Sequence, residues 1–303
     1  MIIGFPFYGV CRNCRAGQPR YCEQGGALMF SGHRLDGSSP LKRENGEALA
    51  RRFFQQSSWA THTVTQEQQL AVVPDGVDHD LMGPLGCSIS TGAGTVLNEL
   101  RPGPGSSIAI LGAGAVGLSA VMAARLTGAT RIIAVDKVPG RLALARELGA
   151  TEVVEGGADA ASAVKELTGG GADYSVEATS GANLVAAAVA ALTKLGTCAM
   201  VGGGRPMDQV RLNHPDMLQQ GKTLNGVMGG GGQTPAFLQA LMRLQAQERF
   251  PVEMLVRRYD FADINHAIDD SDAGTAVKPL CICRKGRIGC PKTSTSLGLL
   301  HAA

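Results

Sequence analysis

Ser107-Ile108-Ala109-Ile110-Leu111-Gly112-Ala113-Gly114-Ala115-Val116-Gly117 is the stretch whose reading decides the fold. A β-type apolar run enters a G-x-G-x-x-G turn. An Ala/Leu/Met-rich helix, Leu118 to Leu126, leaves it, with Gly128 placed where a helix C′ glycine belongs. Gly112 permits the sharp turn from strand to helix, Gly114 has no side chain to hold a pyrophosphate off the backbone, and Gly117 lets the helix approach its strand. The unpaired N–H groups at the start of the helix then face the phosphates, at the positive end of its dipole. With 41 glycines among 303 residues the spacing alone is weak evidence, so its context decides.

Nineteen residues beyond Gly117 stands Asp136, closing the apolar run Arg131-Ile132-Ile133-Ala134-Val135. An acid at this distance can accept hydrogen bonds from both hydroxyls of a ribose, whereas a 2′-phosphate there would meet a like charge. The expected cofactor is NAD rather than NADP, and Lys137 and Arg141 close by temper that preference.

Outward from the fingerprint the pattern alternates. Helix is expected over Met82 to Leu100, Pro139 to Leu148, Ala160 to Leu167, Ala182 to Leu195, Pro235 to Gln247 and Phe261 to Asp269. Strand is expected at Arg131–Val135, Glu152–Val154, Tyr174–Ala178, Thr197–Val201 and Thr223–Met228. Such alternation predicts an α/β fold, a Rossmann-type doubly wound parallel sheet of six strands. Residues 1 to about 90 read instead as short strands and loops punctuated by Gly, Pro and Ser, an all-β segment. Gly286 to Ala303 has no periodicity and reads as a flexible tail.

Composition narrows the function. Twenty-eight basic and 26 acidic residues give a net charge of +2, with no basic stripe interleaved with aromatics, so nucleic acid is not an expected partner. No apolar stretch reaches eighteen residues and Met1 to Val10 lacks the features of a signal peptide, so neither a membrane span nor export is expected and the cytoplasm is. Eight cysteines are too few and too unevenly spread for a disulfide scaffold.

Three of those cysteines cluster. Cys11, Cys14 and Cys22 form C-x2-C-x7-C, a spacing that lets three thiolates converge on one tetrahedral zinc; three reduced surface thiols without metal is the other reading. The loop from Gly9 to Cys22 resembles the structural zinc loop of the medium-chain, zinc-dependent alcohol dehydrogenases. The resemblance continues through Phe53 to Thr61, Gly83 to Gly92, Leu111 to Leu118 and Gly274 to Pro279, and the aryl (benzyl-type) enzymes are the closest subgroup.

That resemblance implies a division of the chain: a partial GroES-like catalytic domain with the structural-zinc loop over 1–88, an NAD-binding domain over 89–229, a segment returning to the catalytic domain over 230–285, and the tail over 286–303. It implies an NAD-dependent, zinc-assisted interconversion of a primary, aromatic alcohol and its aldehyde by hydride transfer. Cys87 matches a catalytic zinc ligand, Thr91 the threonine against the nicotinamide, and Phe54 a wall of the substrate pocket. Phe53 and Trp59 are either further aromatic wall or ordinary core. Val116 matches the residue behind the nicotinamide, Val201 and Met228 line the cofactor, and Lys278 contacts the pyrophosphate or is a solvated lysine. A homodimer or homotetramer through the sheet edge near Thr223 to Met228 is implied by fold analogy.

The departures matter as much. In the family the loop reads C-x2-C-x2-C-x7-C, and its first cysteine falls on Tyr8, a poor zinc ligand. The family's N-terminal strands, its first catalytic cysteine and its G-H-E block would precede this loop, yet Met1 lies ten residues before Cys11. The chain is therefore expected to be an N-terminally truncated member. His33, His62, His79, His214, His266 and His301 all lie outside a G-H-E context and read as surface residues. Cys87 alone cannot hold a catalytic zinc, so an alternative function is NAD binding without turnover.

Overall fold

The computed structural model describes residues 2–3, 5–34, 36–39, 41–50, 53–56, 65–231 and 235–282. Trp59, His62, His301 and the expected tail lie outside them.

The element order is β1 (Ile2–Ile3), α1 (Arg12–Arg15), α2 (Gly25–Phe30), β2 (Leu70–Ala71), α3 (His79–Met82), α4 (Ser88–Gly94), β3 (Ser107–Leu111), α5 (Ala115–Arg125), β4 (Arg131–Asp136), α6 (Pro139–Leu148), β5 (Glu152–Glu155), α7 (Ala160–Thr168), β6 (Ala172–Glu177), α8 (Ala182–Ala190), β7 (Leu192–Met200), α9 (His214–Gln220), β8 (Thr223–Gly226), α10 (Pro235–Ala246), β9 (Val256–Asp260), α11 (Ile264–Asp272) and β10 (Lys278–Ile282).

Six parallel strands form the main sheet in the order β5-β4-β3-β6-β7-β8. Because β3 neighbours both β4 and β6, the chain reverses its direction of travel there, and a crevice opens at the carboxyl ends of β3 and β6. Every residue of β3 is buried, as a strand covered on both faces requires. Ile108 and Ile110 join one core with Leu118 and Met122 of α5, Ile89 of α4 and Leu238, Leu241 and Met242 of α10. Ala109 and Leu111 point into a second core with Val164 of α7 and Ala188 and Val189 of α8.

Local chemistry sets the helix ends. Pro139 opens α6, where a missing N–H costs nothing. Gly149 ends it in the left-handed region at φ 119°, with Ala150 N–H donating back to the Ala145 carbonyl at 2.8 Å. In α9 the Asn213 side chain caps Asp216 N–H at 3.0 Å, and Gly221 closes the helix at φ 60°.

Three expectations change. The expected helix over Met82 to Leu100 is three pieces: a 3-10 turn at Gly83–Gly86, where Pro84 removes a donor, then α4, then a π-helical turn at Thr95–Leu100. The helix expected to reach Leu195 stops at Ala190, because Leu192 pairs with Ala172 and starts β7. Among the described residues before Met82, strand is confined to β1, β2 and isolated bridges such as that between Lys42 and Ala48, where a run of strands was expected.

Candidate functional site

The crevice at the carboxyl ends of β3 and β6 is a cleft of about 1040 Å³, walled by Leu111, Gly112 and Gly114, by Val135 to Val138, and by Ala178 to Leu184. Gly112 sits at φ 99°, and a β-carbon there would lie 2.7 Å from Thr179 Cγ2. A β-carbon on Gly117 would lie inside the Gly112 carbonyl oxygen, so α5 starts as close to its strand as a backbone can. Around Gly114 nothing lies within 4 Å of that position, which leaves open backbone facing the cleft. A phosphate chain fits such a place, at the N-terminus of α5.

Asp136 stands at the end of β4 on the wall of the same cleft. Its Oδ2 accepts Ala113 N–H at 2.6 Å and its Oδ1 accepts Val138 N–H at 2.9 Å, so the carboxylate shapes the turn it faces. A carboxylate has about four acceptor sites, and two remain for a ligand's hydroxyls. Arg141 also lines the cleft, and its buried Nε has no hydrogen-bond partner among the described residues. A guanidinium left in that state suits an anion.

The remaining expected cofactor residues lie elsewhere. Val116 and Gly117 run along α5, where Gly92 packs so closely that a β-carbon on it would overlap the Val116 carbonyl. Val201 N–H donates to the Glu177 carbonyl at 3.0 Å, just beyond β7. Met228 is 40% exposed and its N–H donates to the Tyr21 hydroxyl at 3.3 Å. Lys278, at the start of β10, is not part of this cleft's wall; its charge acts on Cys87.

The cysteine loop is compact. The sulfurs of Cys11, Cys14 and Cys22 all lie within 4.8 Å of one another, with Cys11 to Cys14 at 3.4 Å and Cys11 to Cys22 at 4.0 Å. Thiolates around a tetrahedral zinc lie about 3.8 Å apart, a value these distances bracket. Backbone N–H groups of Glu23 and Cys14 bring the Cys11 thiol down to about 7, whereas burial and the neighbouring Cys11 sulfur push Cys14 up to about 11. Tyr8 donates its backbone N–H to Cys22 Sγ at 3.2 Å, while its side chain is 51% exposed. Three donors fit a zinc, and Tyr8 serves them as a hydrogen-bond donor.

Beside this loop Arg20 and Tyr21 grip the chain after β8. The Tyr21 hydroxyl donates to the Gly226 carbonyl at 2.7 Å, and Arg20 bonds the Gly231 carbonyl and pairs with Glu99 at 2.7 Å. Sequence reasoning missed both residues, because a contact spanning some two hundred positions leaves no local pattern.

Cys87 stands at the N-cap of α4, and its carbonyl accepts Thr91 N–H at 2.9 Å and the Ser90 hydroxyl at 3.0 Å. The thiol keeps accessible surface at a crowded spot; crowding raises its pKa and the Lys278 ammonium acts against that rise. Thr91 is buried, and Gly230 at φ 68° packs against its backbone. Phe54 lies in a ring cluster, with centroids 5.1 Å from Phe5, 5.9 Å from Phe30 and 4.6 Å from Phe53. Among the described residues the cysteine loop holds the one gathered group of three or more His, Cys, Asp or Glu ligands. Cys87 is not in it, so the described residues do not assemble the three ligands of a catalytic zinc.

Residues 115–246 match the family described as zinc-binding dehydrogenase. The chain is 37% identical over 285 residues to the geraniol dehydrogenase of Castellaniella defragrans, covering 93% of this chain and 76% of that one. Among solved structures it resembles an alcohol dehydrogenase zinc-binding domain protein from Burkholderia ambifaria, at 41% identity, a TM-score of 0.89 and coverage of 93% and 77% of the two chains. It also resembles the benzyl alcohol dehydrogenase of Acinetobacter calcoaceticus, at 40% identity, a TM-score of 0.86 and coverage of 92% and 76%. No helix among the described residues is long and apolar enough to cross a membrane.

Proposed function

The chain belongs to the medium-chain, zinc-binding alcohol dehydrogenases, a family of oxidoreductases, and from that premise we propose that it binds NAD in the cleft between β3 and β6 and interconverts a primary aromatic alcohol and its aldehyde. The observation that carries this reading is the meeting of Gly112, Gly114 and Asp136 on one wall. The open backbone at Gly114 receives the pyrophosphate, and Arg141 adds the positive charge. Asp136 reads the ribose hydroxyls, which favours NAD over NADP. Bound NAD supplies the hydride acceptor.

Val116, Val201 and Met228, outside the cleft's wall, are assigned to the nicotinamide end, and Lys278, also outside it, to the pyrophosphate. Thr91 is assigned to the nicotinamide, and Phe54 supplies an aromatic wall with the rings grouped about it. Likeness to a benzyl alcohol dehydrogenase supports a ring-bearing substrate. Cys11, Cys14 and Cys22 hold a structural zinc. The free edge of β8 pairs with a second copy to form a homodimer, or a homotetramer with further copies.

Cys87 is assigned to the alcohol's zinc by its place before Thr91, but among the described residues it stands outside the one gathered group of three or more metal-ligand side chains. That same observation favours a second reading: a member that binds NAD without turnover. Calorimetric titration with NAD and NADP, zinc analysis, and NADH formation from benzyl alcohol separate the two. NAD binding with robust turnover supports the first, and NAD binding with none supports the second. Equal affinity for NADP, or no binding of either dinucleotide, overturns the cofactor assignment.

A further inference from the structure

Glu177 ends β6 with no exposed surface, in the centre of the sheet's carboxyl edge. Its Oε1 accepts the Thr179 N–H at 2.6 Å and also bonds the Thr179 hydroxyl. Its Oε2 has no hydrogen-bond partner among the described residues. A buried carboxylate oxygen without a donor is costly, and such groups persist where the surrounding structure is maintained for another purpose.

What the carboxylate holds is a turn under strain. Ser180 sits at φ 69°, a conformation a non-glycine residue adopts only when its surroundings impose it. Thr179, Ser180 and Gly181 all line the cleft. On one side the turn touches the fingerprint, since Thr179 Cγ2 takes the space that a β-carbon on Gly112 would need. On the other side it touches the end of β7: a β-carbon on Gly202 would collide with Ser180 N and lie 2.8 Å from Glu177 Oε2. The Glu177 carbonyl meanwhile accepts Val201 N–H at 3.0 Å and Gly202 N–H at 3.1 Å. One residue thereby ties together the three turns that follow β3, β6 and β7.

We propose that Glu177 is a positioning residue of the dinucleotide site, its buried carboxylate holding the strained turn from Ala178 to Gly181, through Thr179, in the shape that walls the cleft opposite Asp136. The assignment rests on the reading of this cleft as the NAD site. Glu177 itself is sealed from the cleft, so it acts through Thr179 and Ser180 and touches no ligand. Sequence reasoning passed over it, although a single acid ending the apolar strand from Tyr174 to Ala178 was a visible signal.

The test compares the full chain with Glu177→Gln and, separately, Thr179→Val, each titrated calorimetrically with NAD and melted without ligand. Glu177→Gln keeps the side chain's size, weakens the bonds it accepts from Thr179 by removing the charge and spares the cost of burying an unpartnered oxygen's charge, so its unfolding midpoint stays equal or rises while its dissociation constant for NAD rises at least tenfold. Thr179→Val keeps the backbone bond to Oε1 and loses the hydroxyl, and its dissociation constant rises about fivefold. Should Glu177→Gln fail to fold, Thr179→Val decides alone. Variants that bind NAD as tightly as the unaltered chain overturn the assignment of Glu177 and leave the cleft reading intact. A loss of affinity accompanied by a fall in midpoint marks a purely structural residue and overturns it too. Failure of the unaltered chain to bind NAD overturns the cleft reading and this proposal with it.

Discussion

The Gly92 backbone lies against the carbonyl of Val116 so closely that a β-carbon on Gly92 would occupy the oxygen's own space. This is where α4, carrying Thr91, meets the first turn of α5, next to the open backbone at Gly114. Gly92→Ala must push two helices apart against a backbone atom that cannot swing away. Overpacking of this kind costs about 2–3 kcal/mol, and chemical denaturation is expected to show a loss of that size. A variant of unchanged stability would mean that the helices separate freely.

Asp136 is expected to set the choice between dinucleotides. Asp136→Asn preserves one oxygen for the turn and removes the charge assigned to the ribose. Hydrogen bonds to a charged acceptor contribute about 1.5–3 kcal/mol, so NAD affinity falls by roughly 10- to 100-fold while NADP affinity holds or improves. Paired titrations with the two cofactors read the ratio. An equal loss for both would show that the carboxylate only shapes the turn at Ala113.

Tyr8 is the position at which the cysteine loop departs from a four-sulfur set. Its backbone N–H already faces Cys22 Sγ, so Tyr8→Cys starts from the right neighbourhood. The expected outcome is zinc that survives dialysis against a chelator which strips the unaltered chain, measured as metal content per protein. Cys11→Ala should release zinc from the unaltered chain and return the Tyr8→Cys variant to the chelator sensitivity of a three-sulfur site. Equal zinc retention in the Tyr8→Cys variant and the unaltered chain would sink the idea that three sulfurs limit affinity.

Acid sensitivity is expected at the far end of the chain. Asp270 accepts the Tyr259 hydroxyl at 2.6 Å and pairs with Arg257 at 3.1 Å. The Tyr259 bond first, with Thr275, Arg257 and His266 adding to it, holds the Asp270 carboxyl below its ordinary value. A depressed carboxyl contributes stability that is fully present above the unfolded value of about 3.9 and is lost as pH falls through the lower folded value. Tyr259→Phe removes the largest of these causes. Its unfolding midpoint should therefore lie below that of the unaltered chain near neutral pH, and the gap between the two should narrow as pH falls through the acid range, as read by thermal melts.

Legibility followed locality. Strand, glycine turn, helix and closing acid lie within thirty residues of one another, and each residue type answers a backbone requirement at its own position. The end of α8 shows the opposite case. An alanine-rich run with Leu192 and Leu195 three apart looks helical, yet Leu192 pairs with Ala172 in the sheet and Leu195 turns outward at φ 62°. Sheet pairing outweighed helix propensity there. The site divides in the same way: Gly112, Gly114, Asp136 and Arg141 were readable because the fingerprint is contiguous. Glu177 acts through burial, and burial depends on strands that are distant in sequence.

The phenol of Tyr21 takes one hydrogen bond from Met228 and gives another to Gly226. A single side chain next to Cys22 thus clamps both ends of the turn that leaves the sheet's last strand. The Met228 amide can exchange its hydrogen with solvent only when that clamp lets go. Its exchange rate is consequently a gauge, legible at the rim of the sheet, of how firmly the cysteine loop is folded some two hundred residues earlier in the chain.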